Sequence, residues 1–107
     1  MGVYDLRIYQ VASGEMPSLE RVLRELTLPM MPEYGMTPVG FWTDEPANRL
    51  YQISAHDSLA AIDGNWERFH ADPRWTAGLK QRRGDRSAVL NVTTTRLTDI
   101  GGLPPSC

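Results

Sequence analysis

VGFWTDEPANRLYQISA, residues Val39 to Ala55, reads as two short strands joined by a tight turn, and it lies near the middle of the chain with a helical pattern on either side. Side chains alternate along a strand, so Val39 to Thr43 places Phe41 and Trp42 on opposite faces. Arg49 to Ala55 forms the second strand. The connection DEPAN, Asp44 to Asn48, is rich in turn formers, which predicts an antiparallel hairpin. Pro38 opens the first of these strands where a missing donor is tolerable, and Gly40 leaves room for a neighbouring backbone or ring. Whichever of Phe41 and Trp42 faces the helices has a claim on a ligand.

Upstream of the hairpin, Leu19, Val22, Leu23, Leu26, Met30 and Tyr34 recur at three- and four-residue spacing and make one apolar stripe of a helix. Pro17 suits its first turn, Pro29 and Pro32 kink its last turns, and Gly35 caps it. Glu20 and Arg24 lie on its solvated face. Downstream, Asp57 or Ser58 caps a second helix carrying Leu59, Ile62, Trp66 and Phe69, which Asp72-Pro73 interrupts before a continuation through Trp75 and Leu79. Lys80, Arg82 and Arg83 at its end complement the helix dipole, the alternative being an anion site.

Outside the helices come the outer strands, Val3 to Val11 and Ser87 to Thr95. The order is therefore β-α-β-β-α-β, an α+β, ferredoxin-like pattern with a four-stranded antiparallel sheet and both helices on one face. The other face is left bare although it carries bulk. It is expected to pack on a second copy, giving a homodimer with Asp5, Arg7 and Tyr9 near the interface. Residues 1–100 form the domain and residues 101–107 a flexible tail.

The 107 residues suffice for one core, and 13 acidic against 11 basic side chains give a net charge of −2, which argues against a nucleic-acid partner. No apolar run is long enough for a membrane span, and the N-terminus enters a strand without a signal-peptide pattern. One cysteine, Cys107, allows no internal disulfide and fits a reducing cytoplasm. Two histidines offer no metal-ligand cluster, and neither a nucleophile elbow nor a phosphate-binding glycine loop is present.

YDLRIYQV, the LP pair in the long helix followed by EYGM, then VGFWTDEPANRLYQI, DSLAA and WERFHADPRW together resemble the NIPSNAP family, a branch of the dimeric α/β-barrel superfamily. The resemblance covers residues 3–97 and implies a ligand space between the helices and the sheet of each subunit. It implies no one activity, since the superfamily includes cofactor-free monooxygenases, polyketide cyclases and haem-binding enzymes.

Within that space Trp66 and His70, four apart on one helix face, and Trp75 beside them offer flat apolar surfaces next to an imidazole able to move a proton; packing is the plainer role of the tryptophans. Tyr51 is a second candidate catalytic group, placed on strand three. Asp5 and Arg7 form an ion pair at the dimer contact, or Arg7 clamps a substrate carboxylate. Asn91, amid apolar residues, needs a partner that a ligand can supply. His56 is either another acid or base or a solvated turn residue. The expectation is a cofactor-independent enzyme acting on a hydrophobic aromatic or polyketide-like molecule by proton transfer, leading to cyclisation, isomerisation or oxygenation. The alternative is a non-catalytic dimeric module that binds a small ligand or a protein. A haem held by His70 is conceivable by the resemblance, but no iron ligand is specified.

Overall fold

The computed structural model describes residues 2–84 and 87–100. Strands β1 (Val3–Val11), β2 (Thr37–Asp44), β3 (Arg49–His56) and β4 (Val89–Thr98) form one antiparallel sheet in the order β2-β3-β1-β4. From β1 to β2 the chain runs through α1 (Met16–Val22), a π-helical turn (Leu23–Thr27), α2 (Leu28–Met30) and a 3-10 turn (Met31–Tyr34). Helices α3 (Ala61–Ala71) and α4 (Pro73–Arg83) link β3 to β4. This is the expected ferredoxin-like α+β arrangement. The expected tail at 101–107 lies outside the described residues.

The breaks in the first helical run have local causes. Pro29 has no N–H for the carbonyl four residues back, and just ahead of it the turn widens to π, with Leu28 N–H reaching Leu23 O. Pro32 sits at the start of the 3-10 turn, and Gly35 ends it at φ 75°, a left-handed conformation that a side chain would oppose. Its neighbour Met36 donates to the Met31 carbonyl at 3.2 Å, which closes the helix end. In the second run Asp72 caps α4 by accepting from Arg74 N at 2.8 Å. Leu59 was expected on the apolar stripe but is 44% exposed, because the helix proper starts only at Ala61.

All the helices lie on one face of the sheet. Val22, Leu26 and Met30 join Ile62, Trp66 and Phe69 in one apolar cluster, while Val11, Leu19, Leu23, Leu50 and Ala88 form a second. Complete burial of a side chain such as Phe69 is worth about 1.5–3 kcal/mol. Beneath the helices β1 presents Val3, Asp5, Arg7, Tyr9 and Val11, and β3 presents Leu50, Gln52, Ser54 and His56, matched in register as Asp5 with Ser54 and Arg7 with Gln52.

This corrects the placing of Asp5, Arg7 and Tyr9 near a subunit contact. They lie under the helices, where Trp66 and their own ion pair satisfy the charges. The open face carries Tyr4, Leu6, Ile8, Tyr51 and Ile53 instead. Phe41, opposite Gln52, faces the helices and packs on both clusters, whereas Trp42, opposite Tyr51, is 51% exposed on the open face. Gly40 serves that indole: a Cβ there would sit 2.6 Å from the Trp42 ring.

Candidate functional site

A cavity of about 200 Å³ opens between the helices and the sheet. One wall is apolar, from Leu19, Val22 and Leu23 of the first helical run. The other is aromatic. Trp66 is buried, and helical spacing brings His70 over it, the two rings stacked at 5.6 Å and 24°. Trp75, in the first turn of α4, closes on the same imidazole at 5.5 Å. The three residues singled out on the helices thus meet at one place.

The sheet supplies a polar floor. Asp5 is 1% exposed, and its Oδ2 accepts from Arg7 Nε and from Trp66 Nε1, each at 2.8 Å. The Arg7 guanidinium carbon lies 4.3 Å from the Trp66 ring centre, a cation–π contact that holds both against the cavity wall. Arg7 therefore reaches the candidate site, as the clamp alternative required, but with its charge already matched by Asp5. Tyr9 and Gln52 complete the floor, the Tyr9 hydroxyl donating to Gln52 Oε1 over 3.5 Å.

Burial and the nearby Arg7 charge hold the His70 imidazole below its usual range. The residue stays exposed to solvent although its ring stacks on Trp66 and meets Trp75 at a tilt of 49°, and the downward shift makes the neutral form dominant at neutral pH. Burial raises the Tyr9 phenol despite the opposing pull of Arg7, which keeps it a protonated donor. The site at neutral pH holds one neutral base and a charge-balanced floor.

Tyr51 and Asn91 do not belong to this cavity. Both line a shallow depression on the open face with Ile8 and Gln10, on the far side of the sheet from His70. Alternation decides this: Tyr51 is one residue from Gln52, and a single step along a strand changes faces. Phe41 lies under the helices but lines a separate shallow cleft with Trp42 at the β2 edge.

Two groups missed by sequence reasoning line the cavity with unmet hydrogen-bonding capacity. Gln52 Nε2 and Thr27 Oγ1 are buried and find no partner among the described residues. The signals were there, since Gln52 alternates in step with Leu50 and Thr27 falls four residues after Leu23 on the apolar stripe.

His56 is buried rather than solvated. Arg68 Nη2 donates to Asn65 Oδ1 at 2.6 Å, which leaves Asn65 Nδ2 to donate to His56 Nδ1 and His56 Nε2–H to donate to Ser54 Oγ, both at 2.9 Å. Protonating Nδ1 would set two donors against each other. Burial holds this imidazole below its usual range against an upward pull from Asp5.

Among the described residues no cluster of His, Cys, Asp and Glu is placed to hold a metal, and no helix is long and apolar enough to cross a membrane. At about 200 Å³ the cavity is smaller than the ~300–1,000 Å³ of ordinary cofactor pockets, which speaks against a haem held on His70.

A comparison with curated proteins finds no match. Solved structures resemble the fold over nearly the whole chain. A NIPSNAP family protein from Agrobacterium tumefaciens superposes with a TM-score of 0.81 at 16% identity, covering 98% of this chain and 99% of that one. A NIPSNAP domain protein from Burkholderia xenovorans gives 0.76 at 20% identity, covering 95% and 98%. A monooxygenase from the Streptomyces coelicolor gene ActVA-Orf6, in complex with Nanaomycin D, gives 0.66 at 17% identity, covering 97% and 92%. The NIPSNAP family model matches residues 4–98, across all four strands and the helices that roof the cavity, and the chain belongs to the NIPSNAP family.

Proposed function

We propose that this chain is a small cofactor-independent enzyme that takes a flat hydrophobic molecule into the cavity and moves a proton on it through His70. The observation that carries the reading is a neutral imidazole stacked on one indole and beside a second in the wall of a largely apolar cavity. An aromatic C–H acid stacked there presents its proton to the ring, and the conjugated carbanion left behind can cyclise, isomerise or react with oxygen. That a monooxygenase in complex with Nanaomycin D shares the fold supports an aromatic or polyketide-like ligand.

The test uses 2-tetralone in D2O, with proton NMR following exchange at the carbon next to the carbonyl. Wild-type protein is expected to accelerate exchange, and His70→Ala and His70→Gln to lose about 10²–10⁴-fold of that acceleration. Full acceleration in both folded variants removes His70 as the base. Binding without exchange in the wild type makes the chain a ligand-binding module instead.

The open sheet face supports a homodimer, with Leu6, Ile8 and Ile53 of one protomer against those of its partner. Light scattering should report a dimer for the wild type and a monomer for Ile53→Lys; a monomeric wild type at micromolar concentration refutes it. A reducing cytoplasm suits a chain with one cysteine, and recovery of the native protein outside the cell would count against that location.

A further inference from the structure

Resting on the ligand-binding reading above, we infer that the sheet side of the cavity recognises an uncharged carbonyl group of the ligand through the side-chain amide of Gln52, with the Thr27 hydroxyl as a second donor.

Gln52 is fully buried, lines the cavity, and lies between Arg7 and Phe41 in the sheet register. Its Oε1 is the end that meets the Tyr9 hydroxyl, so its Nε2 carries the free N–H. Thr27 is 3% exposed in the facing wall, and its hydroxyl is likewise unpartnered. Buried donors are normally matched, and two unmatched ones lining the same apolar space call for an acceptor from outside the chain. A carbonyl oxygen has two lone pairs and can answer one donor or both.

Charge selects the kind of acceptor. Arg7 is neutralised by Asp5, and His70 and Tyr9 carry no charge at neutral pH, which leaves the floor and the His70 wall without an unmatched charge. A carboxylate would enter as an unbalanced charge in an apolar space, which a ketone or quinone avoids.

Fluorescence titration with three naphthalenes of one skeleton tests this: 2-acetonaphthone, the matched hydrocarbon 2-isopropenylnaphthalene, and 2-naphthoate. The ketone is expected to bind wild type roughly five- to tenfold tighter than the hydrocarbon, the gain of one net hydrogen bond. Gln52→Leu and Gln52→Met should each cut that preference to what the Thr27 hydroxyl alone supports, about twofold or less. Equal binding of ketone and hydrocarbon to wild type, or a preference that neither substitution diminishes, overturns the inference. Tightest binding by 2-naphthoate overturns its uncharged part. Failure of all three probes to bind overturns the cavity reading itself, a result distinct from binding without preference.

Discussion

Substituting Asp5 by alanine should destabilise the domain severely. The carboxylate is 1% exposed and accepts two bonds of 2.8 Å on a single oxygen, from Arg7 Nε and Trp66 Nε1. Its removal leaves the indole N–H without an acceptor, and leaves a guanidinium whose side chain is 16% exposed without its counter-charge. Breaking a buried pair from one side costs about 3–5 kcal/mol, and the remaining exposure of Arg7 places this case in the lower half of that range. Asp5→Asn keeps an acceptor for the indole and loses only the charge, so it should cost roughly half as much. Against the ~5–15 kcal/mol by which domains are stable, the alanine variant approaches the limit of folding. Urea denaturation followed by circular dichroism at neutral pH measures both variants. The pair Asp5→Leu with Arg7→Leu should lose less than the sum of the single changes, because the double variant leaves no charge unpaired and only the Trp66 N–H without its acceptor. An alanine variant within about 1 kcal/mol of wild type would refute the reasoning, since it would mean that the carboxylate is hydrated rather than buried.

Two further outcomes are expected. His56 has a folded-state pKa below the 6.5 of a free histidine, so the unfolded chain binds more protons as pH falls through that value. Stability is then complete above about pH 7 and declines toward pH 5. His56→Gln should flatten the decline; urea midpoints that are independent of pH across this window in wild type, or equally sloped in the variant, would count against it. His70 shifts in the same direction, but its exposure makes its contribution the smaller one. Gly35→Ala meets only ordinary contact, Asn65 being 3.7 Å from the new Cβ, so its cost is that of a left-handed backbone, about 1 kcal/mol. A calorimetric Tm equal to that of wild type would show that the backbone relaxes.

What the sequence made legible was local. The DEPAN turn, the Asp72-Pro73 break, the Gly35 cap and, Leu59 apart, the apolar stripes each depend on neighbours within a few residues, and each stands in the structure. Trp66, His70 and Trp75 come together for the same reason, through helical spacing and one sharp corner. Which face of the sheet lies inward was not legible. Alternation is symmetric, and both faces of β1 carry aromatic and aliphatic bulk, so the charges of Asp5 and Arg7 pointed outward by default. The residue that draws Asp5 inward is Trp66, 61 positions away. The same one-step ambiguity exchanged Tyr51 for Gln52 and left Phe41 and Trp42 unresolved until pairing with β3 assigned Phe41 to the helix side.

The polar groups under the helices fall into two sets, and the division bears on function. Asp5, Ser54, His56 and Asn65 are hydrogen-bonded to one another's surroundings and complete. Gln52 Nε2 and Thr27 Oγ1 are incomplete, and both line the cavity. A side chain retained only for packing gains nothing from an unmatched buried amide, which costs about 1–3 kcal/mol. Gln52→Leu should therefore raise stability by about 1 kcal/mol even though the Tyr9 hydroxyl loses a long contact, while ketone preference falls. The two readouts separate the explanations. If Gln52→Leu lowers the urea midpoint instead, the amide is matched in solution and its place in the floor is structural; a higher midpoint with weaker ketone binding means that the domain gives up stability at this position to hold a ligand.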